Sequence, residues 1–244
     1  MKPAKHILGG LALAALAGFA TPTAHANSLQ ASPVLIELNG RSPSSAVNVR
    51  NTGRTPFEVQ TRVFRWIQEG GNERFEETEA VVTSPPITTL DPGATYSVRV
   101  LRVDKNQPAK EEAYRVLVDQ LPDESRLRSG TVALVMRHSI PVFVTPENAG
   151  GPQVRWSLGT EGGRLVLQAT NTGGRRLRLS QVSVSLAGGK KVPFGNGLLG
   201  YVHAGSTMRW VAPASAGKVG SVASGGTVNV TTDLGTINVK AAGR

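Results

Sequence analysis

Apolar and polar residues alternate with a period of two along most of this chain. Ala46-Val47-Asn48-Val49-Arg50 alternates and then stops at Asn51-Thr52-Gly53, a strong turn signal. Phe57 to Ile67 is a longer run of the same kind, closed by a turn over Gln68 to Asn72 that contains Gly70-Gly71. Tyr96 to Val103 and Tyr114 to Leu121 read as further strands, and Thr131 to Val144 as the longest. Asn106 to Glu112 is polar and broken by a proline, so it reads as a loop. No stretch of helical length shows a 3.6-residue period with caps. Short strands spaced by turns at this density predict an all-β sandwich or barrel.

One segment breaks the alternation. From Thr131 to Met136 both faces are small or apolar, with Val132, Leu134 and Met136 on one side and Thr131, Ala133 and Val135 on the other. Such a strand is either buried on both sides at a domain interface, or offers its second row to a partner that adds to the sheet. Exposed apolar edges are normally suppressed because they invite aggregation, so one that is retained points to use.

The start of the chain has a different grammar. Lys2 and Lys5 precede an apolar, small-residue run from Ile7 to Ala20, and Ala24-His25-Ala26 is a small-x-small cleavage pattern. This reads as a secretory signal peptide over residues 1–26. The apolar run falls short of the roughly 20 residues a membrane span needs, and no other segment is apolar enough to cross a bilayer. The expected mature protein is therefore exported, with no integral membrane segment. The chain has no cysteine, so its stability must rest on hydrophobic cores, and thiolate metal sites are excluded.

With the leader set aside, 244 residues leave a chain long for one sandwich and natural for two. A weak internal repeat agrees. Val49-Arg50-Asn51-Thr52-Gly53 recurs as Ala169-Thr170-Asn171-Thr172-Gly173, and Leu90-Asp91-Pro92-Gly93-Ala94-Thr95 is echoed by Val202-His203-Ala204-Gly205-Ser206-Thr207. The Pro/Gly-rich stretch Thr145 to Pro152 separates the halves, giving domains over 27–147 and 148–244. The formal charge of +10 is the balance of 27 lysines and arginines against 17 acidic residues, and the arginines are scattered between apolar residues rather than blocked in runs. Blocks of basic residues are what nucleic acid would require, and none is present.

A search for catalytic chemistry finds no convincing set. His138 and His203 are far apart and have no partners at metal-ligand spacing. Carboxylate pairs such as Glu76-Glu77 and Glu111-Glu112 lie in polar segments. The glycine pairs fit turns better than a phosphate cradle. The reading is of a binding protein and not an enzyme, with no catalytic residue, no metal site and no cofactor.

The order of several motifs resembles the periplasmic pilus chaperones of the chaperone–usher pathway. They are Ser84-Pro85-Pro86-Ile87-Thr88-Thr89-Leu90-Asp91-Pro92-Gly93, Val98-Arg99-Val100, Glu112-Ala113-Tyr114-Arg115-Val116, Leu121-Pro122 and Ile140-Pro141-Val142-Phe143-Val144. The Pro-Pro step is a sharp corner in which one bond is a candidate for cis. The resemblance implies two immunoglobulin-like sandwiches in a boomerang arrangement, in the periplasm, with pilin subunits and an outer-membrane usher as partners. It further implies donor-strand complementation, in which the long strand before the linker fills a gap in the subunit's sheet. Val132, Leu134 and Met136 would insert, with Gly130 at the margin. Whether the free protein caps this strand in a homodimer is left open.

The family also holds its client's C-terminal carboxylate with two basic residues, and here the sequence departs. The usual lysine aligns with Pro141 and the usual arginine with Val34-Leu35-Ile36. This leans toward the divergent, archaic branch. Arg115, Arg137 and Arg102 are the candidates for a replacement anchor, with Arg115 favoured because it interrupts an apolar strand. Competing readings are a secreted immunoglobulin-like adhesin or structural module and, more distantly, an exported hydrolase.

Overall fold

The computed structural model describes residues 29–123 and 134–243; the signal-peptide expectation over residues 1–26 lies outside them. The first half contains β1 (Leu29–Ser32), β2 (Ile36–Asn39), β3 (Ser44–Asn51), β4 (Phe57–Glu69), β5 (Asn72–Glu77), β6 (Val81–Ser84), β7 (Ile87–Leu90), β8 (Thr95–Arg102), β9 (Glu112–Gln120) and β10 (Arg137–Thr145). The second half contains β11 (Val154–Glu161), β12 (Arg164–Asn171), β13 (Leu177–Leu186), β14 (Lys191–Pro193), β15 (Leu198–Val202), β16 (Thr207–Val211), β17 (Gly226–Thr232) and β18 (Gly235–Gly243). One short 3₁₀ turn, Ala214–Ala216, is the only helical element among the described residues.

In the first half a four-stranded sheet, β1-β3-β8-β6, faces a six-stranded sheet, β2-β10-β9-β4-β5, with β7 also paired to β4. The inward residues of both sheets meet in one core that includes Leu38, Val47, Val100, Tyr114, Val116 and Val142. The second half folds around its own core of Trp156, Leu167, Leu179, Val184 and Val228. There β18 pairs antiparallel with β17 along its length and meets β11 in parallel only at its far end, so it bridges the two layers. The result is two antiparallel-dominated sandwiches, one per half, as the alternation predicts.

The repeat seen in the sequence is one buried asparagine network built twice. Asn51 donates through Nδ2 to the Thr55 and Leu90 carbonyls and accepts from Gly53 N–H, while its own N–H donates to the Ala94 carbonyl. Asn171 makes the corresponding bonds to Arg175, Val202, Gly173 and Ser206. Both side chains are almost completely buried. Each one ties a strand end to the turn after it and to the last residue of a strand in the facing sheet.

Most predicted strands appear within a residue or two of their expected limits, and two differ in ways that matter. β4 runs on to Glu69, so Gln68 is a strand residue and the turn tightens to Gly70-Gly71, both at positive φ. The strand expected from Thr131 to Val144 begins only at Arg137. Residues 131–133 lie outside the described residues, and Leu134, Val135 and Met136 are not in a strand. The reason is a shortage of neighbours. The ladder from β10 to β9 closes at Arg137 opposite Asp119, followed by one more bond from Gln120 N–H to the Met136 carbonyl. On its other side β10 meets β2 only from Val142 to Thr145. Of the Pro-Pro corner, the bond that is cis is Ser84–Pro85.

Candidate functional site

The parity of β4, β9 and β10 builds the site. Phe57, Val59 and Val63 of β4 turn into the first core, which places Trp66 and Gln68 on the opposite face of the six-stranded sheet. By the same alternation Arg115 and Ala113 of β9 and Pro141 and Phe143 of β10 share that outer face. The second sandwich packs Tyr201 and His203 against it. Trp66, Ala113, Phe143 and Tyr201 form a third apolar cluster between the two halves. The Trp66 ring meets Tyr201 and His203 edge-on, with centroids 5.7 and 4.2 Å away, and Phe143 lies 5.4 Å from Tyr201.

Arg115 lies across this cluster. Its guanidinium sits 3.7 Å from the Trp66 ring centroid, Nη1 donates to the Ser139 carbonyl at 3.4 Å, and Nε is buried with no protein partner. No carboxylate lies within ion-pair distance of it among the described residues. Burial lowers its pKa, partly opposed by Glu73 and Tyr201. Arg115 is directly opposite Pro141 in the β9–β10 ladder. The cation therefore sits one strand across from the position that aligns with the usual lysine, and Pro141 itself is buried. Of the segment aligned with the usual arginine, Ile36 is in the first core and Leu35 packs on the interdomain cluster.

The other two candidate arginines are not brought to Arg115. Arg137 begins β10 and pairs with Asp119, which also holds Arg62 Nη2 at 2.7 Å. Burial alone would raise the Asp119 pKa, but the hydrogen bonds from Arg137 and Arg62 hold it below the usual carboxylate value. Arg102 belongs to the four-stranded sheet; its Nη2 donates to the Asn106 carbonyl at 2.6 Å and lies 3.6 Å from Glu112. Both cations thus face a carboxylate within the first half, although Arg102 Nε is buried with no protein partner.

The apolar row falls partly outside the described residues: Gly130 and Val132 do, while Leu134 and Met136 are described. Leu134 is 90% exposed, and Val135 and Met136 are 49% and 39% exposed. They lead straight into β10, on the same ladder as Arg115.

A second set of contacts spans the two halves. Arg176 donates from its backbone N–H and from Nη1 to Glu111, at 2.8 and 2.7 Å, pairs with Glu37, and lies over the Phe143 ring at 3.8 Å. Gln68 bonds to the Tyr201 carbonyl and to His203 N–H. His203 is neutral: burial, reinforced by Arg115 and Arg176, pushes its pKa down to about 3. The sequence reading passed over all of these. Spacing alone gives His203 no partner, places Gln68 in a turn and does not single out Arg176. The one available signal was Trp66, a large aromatic on the face of β4 opposite its core residues.

Among the described residues no helix is long and apolar enough to cross a membrane. The fold is similar to that of chaperones solved with and without clients. The chaperone of the CsuC–CsuE chaperone–tip adhesion subunit pre-assembly complex, from the archaic chaperone–usher Csu pili of Acinetobacter baumannii, matches with a TM-score of 0.68 and 24% identity. That match covers 89% of this chain and 99% of the other. The SafB chaperone complexed with the SafA pilin of Salmonella enterica matches at 0.61 and 18% identity, over 88% of this chain and 97% of its counterpart. In sequence, the uncharacterized fimbrial chaperone YcbF of Escherichia coli K12 is 24% identical over 150 residues, 58% of this chain and 61% of that protein's length. Residues 28–150, just over half of the chain, match the N-terminal domain of PapD-type pili and flagellar-assembly chaperones. On that match, over a fold of two sandwiches, the chain belongs to the pili and flagellar-assembly chaperone family.

Proposed function

We propose that this protein captures pilus subunits in the periplasm by lending them the strand that leads into β10, and then delivers them to an outer-membrane usher. The observation that carries this is the row of exposed apolar side chains at Leu134, Val135 and Met136, continuous with a ladder that already bears Arg115. A subunit lacking one strand would extend this edge, with main-chain hydrogen bonds fixing register and alternate side chains filling its open core. Burying Val132, Leu134 and Met136, with Gly130 at the margin, is worth on the order of 5–8 kcal/mol before the costs of association.

Arg115 is the anchor for the client's C-terminal carboxylate in this reading. It is the cleft arginine without a carboxylate of its own, whereas Arg137 and Arg102 already face Asp119 and Glu112. A guanidinium seated over an indole keeps its planar fork of donors, which suits a carboxylate. The domain division that goes with this reading lies at residues 147/148, after β10.

The test is co-production with a pilin in the periplasm. Leu134→Asp should abolish recovery of a chaperone–subunit complex while the free variant keeps its wild-type far-ultraviolet circular dichroism and melting temperature. Unfolding of the variant alone would make Leu134 a core residue instead, and undiminished capture would remove the donor row from the mechanism.

A further inference from the structure

Gln68 occupies an unusual position for a strand-end glutamine. It is buried, and both ends of its amide are used across the divide between the sandwiches. Nε2 donates to the Tyr201 carbonyl at 2.9 Å and Oε1 accepts from His203 N–H at 2.8 Å. Those two backbone groups lie on the same side of an extended chain, so the amide pairs with it as a peptide unit of a neighbouring strand would. Nε2 also reaches Glu73 Oε1 at 3.1 Å, tying the latch to β5. The hairpin that carries Gln68 meets the second sandwich again at its tip. Gly71 bridges to Met208, and a Cβ at Gly71 would sit 2.7 Å from Arg209 Cγ.

The residues fixed by Gln68 support the cleft arginine. Tyr201 and His203 are the second sandwich's contribution to the walls of Trp66, and Trp66 is the plate on which Arg115 lies. Trp66 and His203 are 3% and 6% exposed, so neither ring can shift without disturbing the other. A chain of contacts thus runs from Gln68 through Tyr201 and His203 to Trp66 and Arg115.

We infer that Gln68 is a positioning residue: it latches the second sandwich onto the first and thereby holds Arg115 in the orientation that receives the client's terminal carboxylate. This rests on the anchor reading of Arg115 given above. The latch itself is a claim about the free chaperone and can be tested without a client.

The chain has no cysteine, so paired labels can be introduced cleanly. Spin labels at Arg54→Cys and Asp233→Cys, both exposed positions in different sandwiches, report the interdomain distance. The wild-type background should give one narrow distribution, broadened in Gln68→Leu and in Gln68→Glu, which keeps the acceptor and loses the donor. A broad wild-type distribution, or a narrow one in both variants, overturns the latch. Capture is then measured with a pilin subunit bearing its native C-terminus and with the same subunit extended by Gly-Ser. Gln68→Leu should cost about tenfold in affinity for the native terminus, little for the extended one, and nothing further in an Arg115→Ala background. An equal loss with and without Arg115 would make Gln68 a contributor to general stability and sink its positioning role. If Arg115→Ala captures the native subunit as well as wild type, the anchor reading fails, while the distance measurement still decides the latch.

Discussion

At Arg115 a guanidinium sits over an indole with its Nε buried and unpartnered, an arrangement that costs desolvation unless something completes it. Arg115→Ala should weaken capture of a subunit with a native C-terminus by about 1.5–3 kcal/mol, roughly ten- to a hundredfold, in a titration of the purified proteins. Unchanged affinity would remove Arg115 as the anchor. His203 makes a different prediction. Its pKa is near 6.5 when unfolded and is pushed down to about 3 by burial beside Arg115 and Arg176. Below pH 6.5 the unfolded chain therefore binds a proton that the folded one refuses. Stability is undiminished above pH 6.5 and falls as pH drops toward 3, by up to about 1.4 kcal/mol per pH unit. Urea titrations between pH 6.5 and 4 should show this loss in the wild type and a flatter profile in His203→Leu. Identical profiles would contradict the buried neutral imidazole. Arg115 was legible from sequence because a lone cation in an apolar strand asks for a reason. His203 was not, since its neighbours come from β4 and β10, more than fifty residues away.

Among the elements, the period of two was enough to find β3, β4, β8 and β9, because each turns one apolar row into the first core while its other face is mostly polar, with Trp66 and Ala113 as exceptions. It failed at the start of β10. Apolar character on both faces of a segment gives no information about whether a neighbouring strand exists, and among the described residues Leu134 to Met136 belong to no strand. The asparagine repeat was visible as a pair of short matches, yet its meaning needed the hydrogen bonds. Asn51 and Asn171 each donate to two backbone carbonyls, one in the following turn and one across the sandwich. Asn51→Ala and Asn171→Ala should each cost roughly 2–4 kcal/mol in chemical denaturation. A loss below about 0.5 kcal/mol at either site would mean that water replaces the side chain there.

At the scale of the molecule, two sandwiches with separate cores meet through a small aromatic cluster, the Gln68 latch and the buried Arg176–Glu111 pair. Two-domain organisation could be read from length and repeat, but the interface could not, because its residues are drawn one or two at a time from β2, β4, β9, β10 and the second half. Removing one partner of a buried ion pair strands the other, so Arg176→Met should destabilise the folded protein by about 3–5 kcal/mol. Near-wild-type stability in a denaturant titration would show that Glu111 finds water or another cation. Whether this chaperone holds its client through an added strand is decided by diluting a denatured pilin subunit into chaperone and counting complexes by size-exclusion chromatography. Wild type should give a one-to-one complex and folded Leu134→Asp none; equal complex formation by the two would rule the added strand out.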